Sequence, residues 1–180
     1  MPTYTGAPST AFDVIAAGGT FDGTTFHLFA IFAAAVSDGA GRIDAVVRGG
    51  SRRGWTDHLG TIGNPNVQFN TVATLNAAGG TNNAAFVGSI NGASISIDVP
   101  LSALPASTGF APQDYLWNLW PRDTSAQPGP AGGASAISDF APDNATAAFT
   151  AVPEPSTLVM CAGLLGTLGV FARRRRPARA

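Results

Sequence analysis

From Ala85 to Val99 the chain reads AFVGSINGASISIDV, and its second half alternates strictly. Ile95, Ile97 and Val99 are apolar, while Ser94, Ser96 and Asp98 between them are polar. Strand side chains point to opposite faces in turn, so this pattern predicts a strand with one buried face and one wet face. Asn91-Gly92 in front of it is a hairpin signal, because glycine accepts the positive φ that tight turns require. Pro100 ends the strand, and LSALP follows as a short turn or a single helical turn. A first hairpin is predicted around Asp22-Gly23, with Val14 and Ile15 before it and Phe26, Leu28, Phe29, Ile31 and Phe32 after it. The run after that turn is apolar at both parities, which predicts a central strand buried on both faces. Further strands are predicted at residues 43–48, 67–75, 115–120 and 145–150. About eight short strands separated by turn signals predict an all-β fold, an antiparallel β-sandwich. Residues 124–136, TSAQPGPAGGASA, read as a low-complexity loop.

The pattern changes after residue 150. Residues 156–172 carry no charge and include Leu158, Val159, Met160, Leu164, Leu165, Leu168, Val170 and Phe171. At about 1.5 Å per residue such a segment reaches roughly 25 Å, the short end of a membrane-crossing helix. Gly163, Gly166 and Gly169 leave one side of that helix small. Arg173, Arg174, Arg175 and Arg176 set its topology, since basic residues beside a span stay on the cytoplasmic side. The body in front is thereby placed outside. Pro153 and Pro155 bar a helix at the border and hold Glu154 in extended backbone, the form a membrane-embedded peptidase can grip. The division is therefore 1–150, an exported sandwich, and 151–180, a tail with a single transmembrane helix. A helix packed in the core does not fit uniformly apolar sides followed by an Arg block. A plain anchor leaves Pro-Glu-Pro without a reason.

Charge follows the same division. The chain has no lysine, and five of its arginines lie at 173–176 and 179. Residues 1–150 hold ten aspartates and five arginines, a balance of −5. An acidic body argues against nucleic acid as a partner, because phosphate binding needs Lys/Arg clusters. The single cysteine, Cys161, lies in the apolar tail, which excludes an intrachain disulfide and a Cys-rich zinc site.

Val152-Pro153-Glu154-Pro155-Ser156-Thr157-Leu158, the Gly/Leu-rich span and the Arg cluster together resemble the PEP-CTERM protein-sorting signal. The resemblance implies an exosortase-type membrane peptidase as partner, in a Gram-negative bacterium that makes exopolysaccharide. Val152, Pro153, Glu154 and Pro155 would then form the processing motif. The chain would sit transiently in the inner membrane with its body outside the cytoplasm, then move to the cell surface or extracellular matrix. Proteins with this tail also carry a signal peptide. MPTYTGAPSTAFDV has no basic region followed by an apolar run, so the expectation is a gene start upstream of this one, with export by another route as the alternative. The body resembles uncharacterised ectodomains that precede such tails. Its strand-then-PLSAL element is similar to carbohydrate-binding sandwiches of the DOMON and family-9 type, which implies a jelly-roll or DOMON-like arrangement.

Candidate chemistry in the body is sparse. Tyr115, Trp117 and Trp120, with Arg122 and Asp123 beside them, would suit a sugar ring if exposed, aromatic faces stacking on CH groups while the rim binds hydroxyls. Tyr115 and Trp117 share a strand face and Trp120 points the other way, so core packing is the stronger reading for at least one. Asp139, Asp143 and Asn144 offer oxygens to a hard cation such as Ca²⁺, against the commoner role of turn capping. Arg48, Arg52, Arg53, Trp55, Asp57 and His58 form a polar stretch that reads as a solvated loop, or as a contact for an acidic polysaccharide. His27 reads as a satisfied or edge strand residue. No GxSxG motif or flanked Ser/His/Asp set points to a nucleophile. The resulting expectation is a non-enzymatic structural protein of the exopolysaccharide layer, without a cofactor or metal. A carbohydrate-binding module is the alternative, and a matrix hydrolase the remoter one.

Overall fold

Asp22 shapes the first hairpin. Its Oδ1 accepts hydrogen bonds from the backbone N–H groups of Thr24 and Thr25, both at 2.8 Å, and from the Thr24 hydroxyl at 2.9 Å. Gly23 supplies the positive φ, +99°, that the turn requires. The computed structural model describes residues 12–36, 41–48, 67, 69, 71–104, 111–123, 137–143 and 145–152. Strand β1 (Val14–Phe21) pairs antiparallel with β2 (Thr25–Phe32) from Phe21↔Phe26 to Val14↔Phe32, with a bulge between Val14 and Ala16.

Strand β3 (Gly41–Arg48) lies antiparallel to β4 (Thr71–Asn76), so the strand predicted from residue 67 begins four residues later. The second predicted hairpin is β5 (Val87–Asn91) and β6 (Ser94–Pro100), closed by the pair Asn91↔Ser94. Asn91 is therefore the last ladder residue, and Gly92, at φ +59°, carries the turn. In β6 the alternation falls as predicted, with Ile95, Ile97 and Val99 buried and the polar positions between them not. A 3-10 turn at Leu101–Ala103 follows Pro100, and the Leu101 N–H donates to Thr24 O at 2.8 Å beside the first hairpin's turn.

Strand β7 (Leu116–Asp123) pairs antiparallel with β3, and two short strands, β8 (Ala147–Ala148) and β9 (Thr150–Ala151), complete the set. The described strands form two sheets, ordered β5-β6-β2-β1-β9 and β4-β3-β7-β8. Two details depart from the sequence-based expectation. The segment predicted as one strand over 145–150 is split, β8 pairing with β7 in the second sheet and β9 with β1 in the first. The β1–β9 pair is also parallel, so the sandwich is not wholly antiparallel. The folded body extends through Ala151 in β9, past the expected boundary at residue 150.

Among the described residues β7 is buried on both faces, and β2 is not. In β2 only Phe26, Leu28, Ala30 and Phe32 are buried, while Phe29 and Ile31 are 45% and 38% exposed. The Phe29 ring gains cover by lying on Gly18, where a Cβ would come within 2.5 Å of it. In β7 every residue from Trp117 to Pro121 is buried. Trp117 and Leu119 join the main core between the sheets, whereas Trp120 joins a second cluster with Val67, Phe69, Ile137 and Phe140. The second sheet is thus covered on both sides at β7 by side chains of both clusters. Among the described residues no helix is long and apolar enough to cross a membrane. The helix predicted at 156–172 lies outside the described residues.

Phe26 is the hub of the main core. It has no exposed surface, and its ring centroid lies 4.3 Å from Phe21, 4.6 Å from Phe149 and 5.5 Å from Tyr115. Replacing so enclosed an aromatic ring with a methyl group leaves a cavity that rigid neighbours cannot fill. Phe26→Ala is therefore expected to cost about 3–5 kcal/mol, read as a lowered urea midpoint by tryptophan fluorescence.

Candidate functional site

The chain leaves the fold through residues 147–152, and each is held differently. Ala147 and Ala148 pair with Trp117 and Leu116 of β7, and Trp117 Nε1 donates to Ala148 O at 3.3 Å. Phe149 then turns inward, 7% exposed, against Phe26 and 6.5 Å from the Trp117 ring. Thr150 and Ala151 pair with Thr20 and Phe21, and the Val152 N–H donates to Phe21 O at 2.9 Å. β1 can come this close because position 19 is glycine: a Cβ there would lie 2.7 Å from Trp117 Nε1 and 2.9 Å from the Phe149 ring. Of the expected processing motif, Val152 is described and its side chain is exposed. Pro153, Glu154, Pro155 and Arg173–Arg176 lie outside the described residues.

The aromatic trio does not form a surface platform. Tyr115 and Trp117 are each 4% exposed and Trp120 is 1% exposed, so no ring face is open to stack on a sugar. Their parity follows the expectation, Tyr115 and Trp117 in one core cluster and Trp120 in the other. Arg122 is half-buried and sits opposite Arg42 in the β3–β7 ladder. A cleft of about 360 Å³ runs between the start of β1 and residues 140–147. Val14, Ala17, Trp117, Phe140 and Pro142 are among the residues that line it, with Asp143 as the charged one.

Asp139 works as a tether. Its Oδ2 accepts from the Val14 N–H at 2.8 Å and its Oδ1 from the Phe140 N–H at 2.7 Å, tying the 137–141 segment to β1. Burial pushes its carboxyl above the usual range, with those two donors opposing and Asp143 and Asp13 adding to the rise. Asn144, the third residue of the candidate cation loop, lies outside the described residues. No group of three His, Cys, Asp or Glu side chains among the described residues could hold a metal ion. Arg48 ends β3, and Arg52, Arg53, Trp55, Asp57 and His58 lie outside the described residues.

One polar constellation went unpredicted. His27, on the outward face of β2, places Nδ1 2.8 Å from Asp98 Oδ1 and Nε2 3.1 Å from Asp22 Oδ2. Asp98 stands directly across from His27 in the β2–β6 ladder, so the pairing register brings them together. The sequence signal that remained was the spacing of Asp22 and His27 across a turn. The hydrogen bond to Asp98 is the main cause that raises the His27 pKa, with burial opposing and Asp22 assisting. Asp22 is held well below the ordinary carboxylate value, first by the Thr24 N–H, then by His27, the Thr25 N–H and the Thr24 hydroxyl. A neutral imidazole has one N–H and can donate to only one carboxylate, so the full clamp exists while His27 is charged.

A raised histidine pKa means stability present below the ordinary value of 6.5 and lost as pH rises through the folded value. A lowered aspartate pKa means stability present above 3.8 and lost as pH falls toward the folded value. The clamp therefore contributes most between those limits. The three side chains are 39–44% exposed, which keeps the effect small. His27→Gln is expected to destabilise by up to about 1 kcal/mol near pH 6, with the gap closing toward pH 9, as measured by urea midpoints at both pH values.

Neither the curated proteins nor the solved structures give a match to this chain. A family model does match at the exit: residues 151–176, beginning within β9, are a PEP-CTERM protein-sorting motif.

Proposed function

We propose that this chain is a structural protein of the exopolysaccharide layer, exported as a β-sandwich and released from its tail by an exosortase-type membrane peptidase. The observation that carries this reading is the sorting motif at 151–176, continuous with a folded β body. In this reading Pro153, Glu154 and Pro155 present extended backbone to the peptidase, residues 156–172 hold the substrate in the inner membrane, and Arg173–Arg176 keep the C-terminus on the cytoplasmic side. The freed body then remains at the cell surface or in the surrounding matrix. What supports a structural role for the body is where its chemistry goes. Tyr115, Trp117 and Trp120 fill the two cores, Asp139 ties a loop to β1, and His27 is bonded to both Asp22 and Asp98.

The test is the intact mass of the protein recovered from the envelope and medium of its native host, beside a Glu154→Ala variant. The wild-type chain is expected to end near residues 153–156, and the variant to keep its tail through Arg173–Arg176. A full-length mass for both would make the tail a permanent anchor and overturn the reading.

A further inference from the structure

The sorting motif and the folded body overlap. The match begins at residue 151, yet Ala151 is a ladder residue of β9 and the Val152 N–H is bonded to Phe21 O at 2.9 Å. A peptidase that grips extended backbone needs chain on both sides of the bond it cuts, and edge pairing with another strand occupies the same N–H and C=O groups. A processing site next to Pro153 therefore competes with β1 for the residues that precede it.

How far the fold can yield is written in its burial. Thr150, Ala151 and Val152 are exposed, so the β1 ladder rather than apolar burial holds them. Strand ends held only by a few solvent-facing hydrogen bonds open locally at little cost. Phe149 is different in kind. Its ring is 7% exposed and lies 4.6 Å from Phe26, and Ala148 behind it is bonded to Trp117 Nε1. Moving it would open the main core.

We infer that β9 is a detachable strand: the processing peptidase engages Thr150–Val152 after they leave β1, and Phe149 is the stop beyond which the chain does not peel. This rests on the processing reading above. Freed, three residues give the peptidase roughly 10 Å of extra extended chain at about 3.3 Å per residue. Phe149 and the β1 edge are thus positioning elements for the reaction, setting how much substrate is offered without touching the bond that breaks.

The test locks the strand. Thr20 and Thr150 are ladder partners, and neighbouring strands lie within the span a disulfide bridges. In the full chain, expressed in its host with Cys161→Ser to remove the native thiol, Thr20→Cys with Thr150→Cys joins β9 to β1. Processing is followed by pulse-chase, beside each single-cysteine variant and Glu154→Ala. If processing tracks the open strand, the cross-linked chain is cleaved about tenfold more slowly or worse, and reduction or either single variant restores the rate. A Gly/Ser spacer between Ala151 and Val152, which leaves the Val152–Pro155 motif whole, is expected to restore cleavage of the cross-linked chain, which a misfolded body would not allow. Cleavage of the cross-linked chain at the wild-type rate overturns the detachable strand, as does failure of the spacer to rescue it. An unlocked chain as resistant as Glu154→Ala overturns instead the processing reading beneath it.

Discussion

The contact between Phe149 and Phe26 joins the two sheets through a single stretch of chain. Each sheet is otherwise assembled from its own neighbours, hairpins on one side and β3 with its partners on the other. Residues 147–151 are shared: β8 extends the second sheet, β9 extends the first, and Phe149 fills the space between. That crossing needs close approach, and glycine at position 19 provides it by leaving room for the Phe149 and Trp117 rings. An aromatic core of Phe21, Phe26, Tyr115, Trp117 and Phe149 then closes around the crossing. The body therefore ends in its own core, and the tail begins without a linker.

How much of this could be read in advance differs by element. The Asp22-Gly23 and Asn91-Gly92 turns and the Ile95, Ile97, Val99 alternation are local signals, and the hairpins they predict are present. Long-range choices were not legible. Phe29 and Ile31 made β2 look buried on both faces, but burial is decided by what lies opposite, and the outward neighbour of Phe29 is Gly18, whose missing side chain exposes and partly shelters the ring together. Trp120 was buried by residues distant in sequence, Val67, Phe69, Ile137 and Phe140. The 145–150 run carried no mark that it would change sheets at Phe149. His27 and Asp98 met only because the β2–β6 register placed them opposite each other. The sorting signal shows the reverse case, since its Pro-Glu-Pro, apolar span and Arg block are contiguous and were readable from composition and order alone.

The polar groups of the body fall into a consistent pattern. Asp22 organises a turn and shares His27 with Asp98, Asp139 fastens a loop, and Asn118, fully buried on β7, donates from its amide to Pro142 O and Ala145 O at 2.8 Å each. These are the bonds that a sandwich with short strands and long connections uses to hold its loops. They leave the exit strand, rather than a pocket, as the part of the molecule whose geometry bears most directly on what happens to the chain.

The direction of β9 has one more consequence. Because it runs parallel to β1, the chain departs at the end of the sandwich that holds the Asp22–Thr24 turn and the Pro100–Leu101 corner. The opposite end carries Gly92 and Ala93, whose carbonyls hold Val36 and Phe32. Seven-residue strands at about 3.3 Å per residue separate the Gly92 turn from that exit by roughly 20 Å or more. The Asp22–His27–Asp98 row therefore lies at the end of the body where the chain exits, and the Gly92 turn lies at the far end.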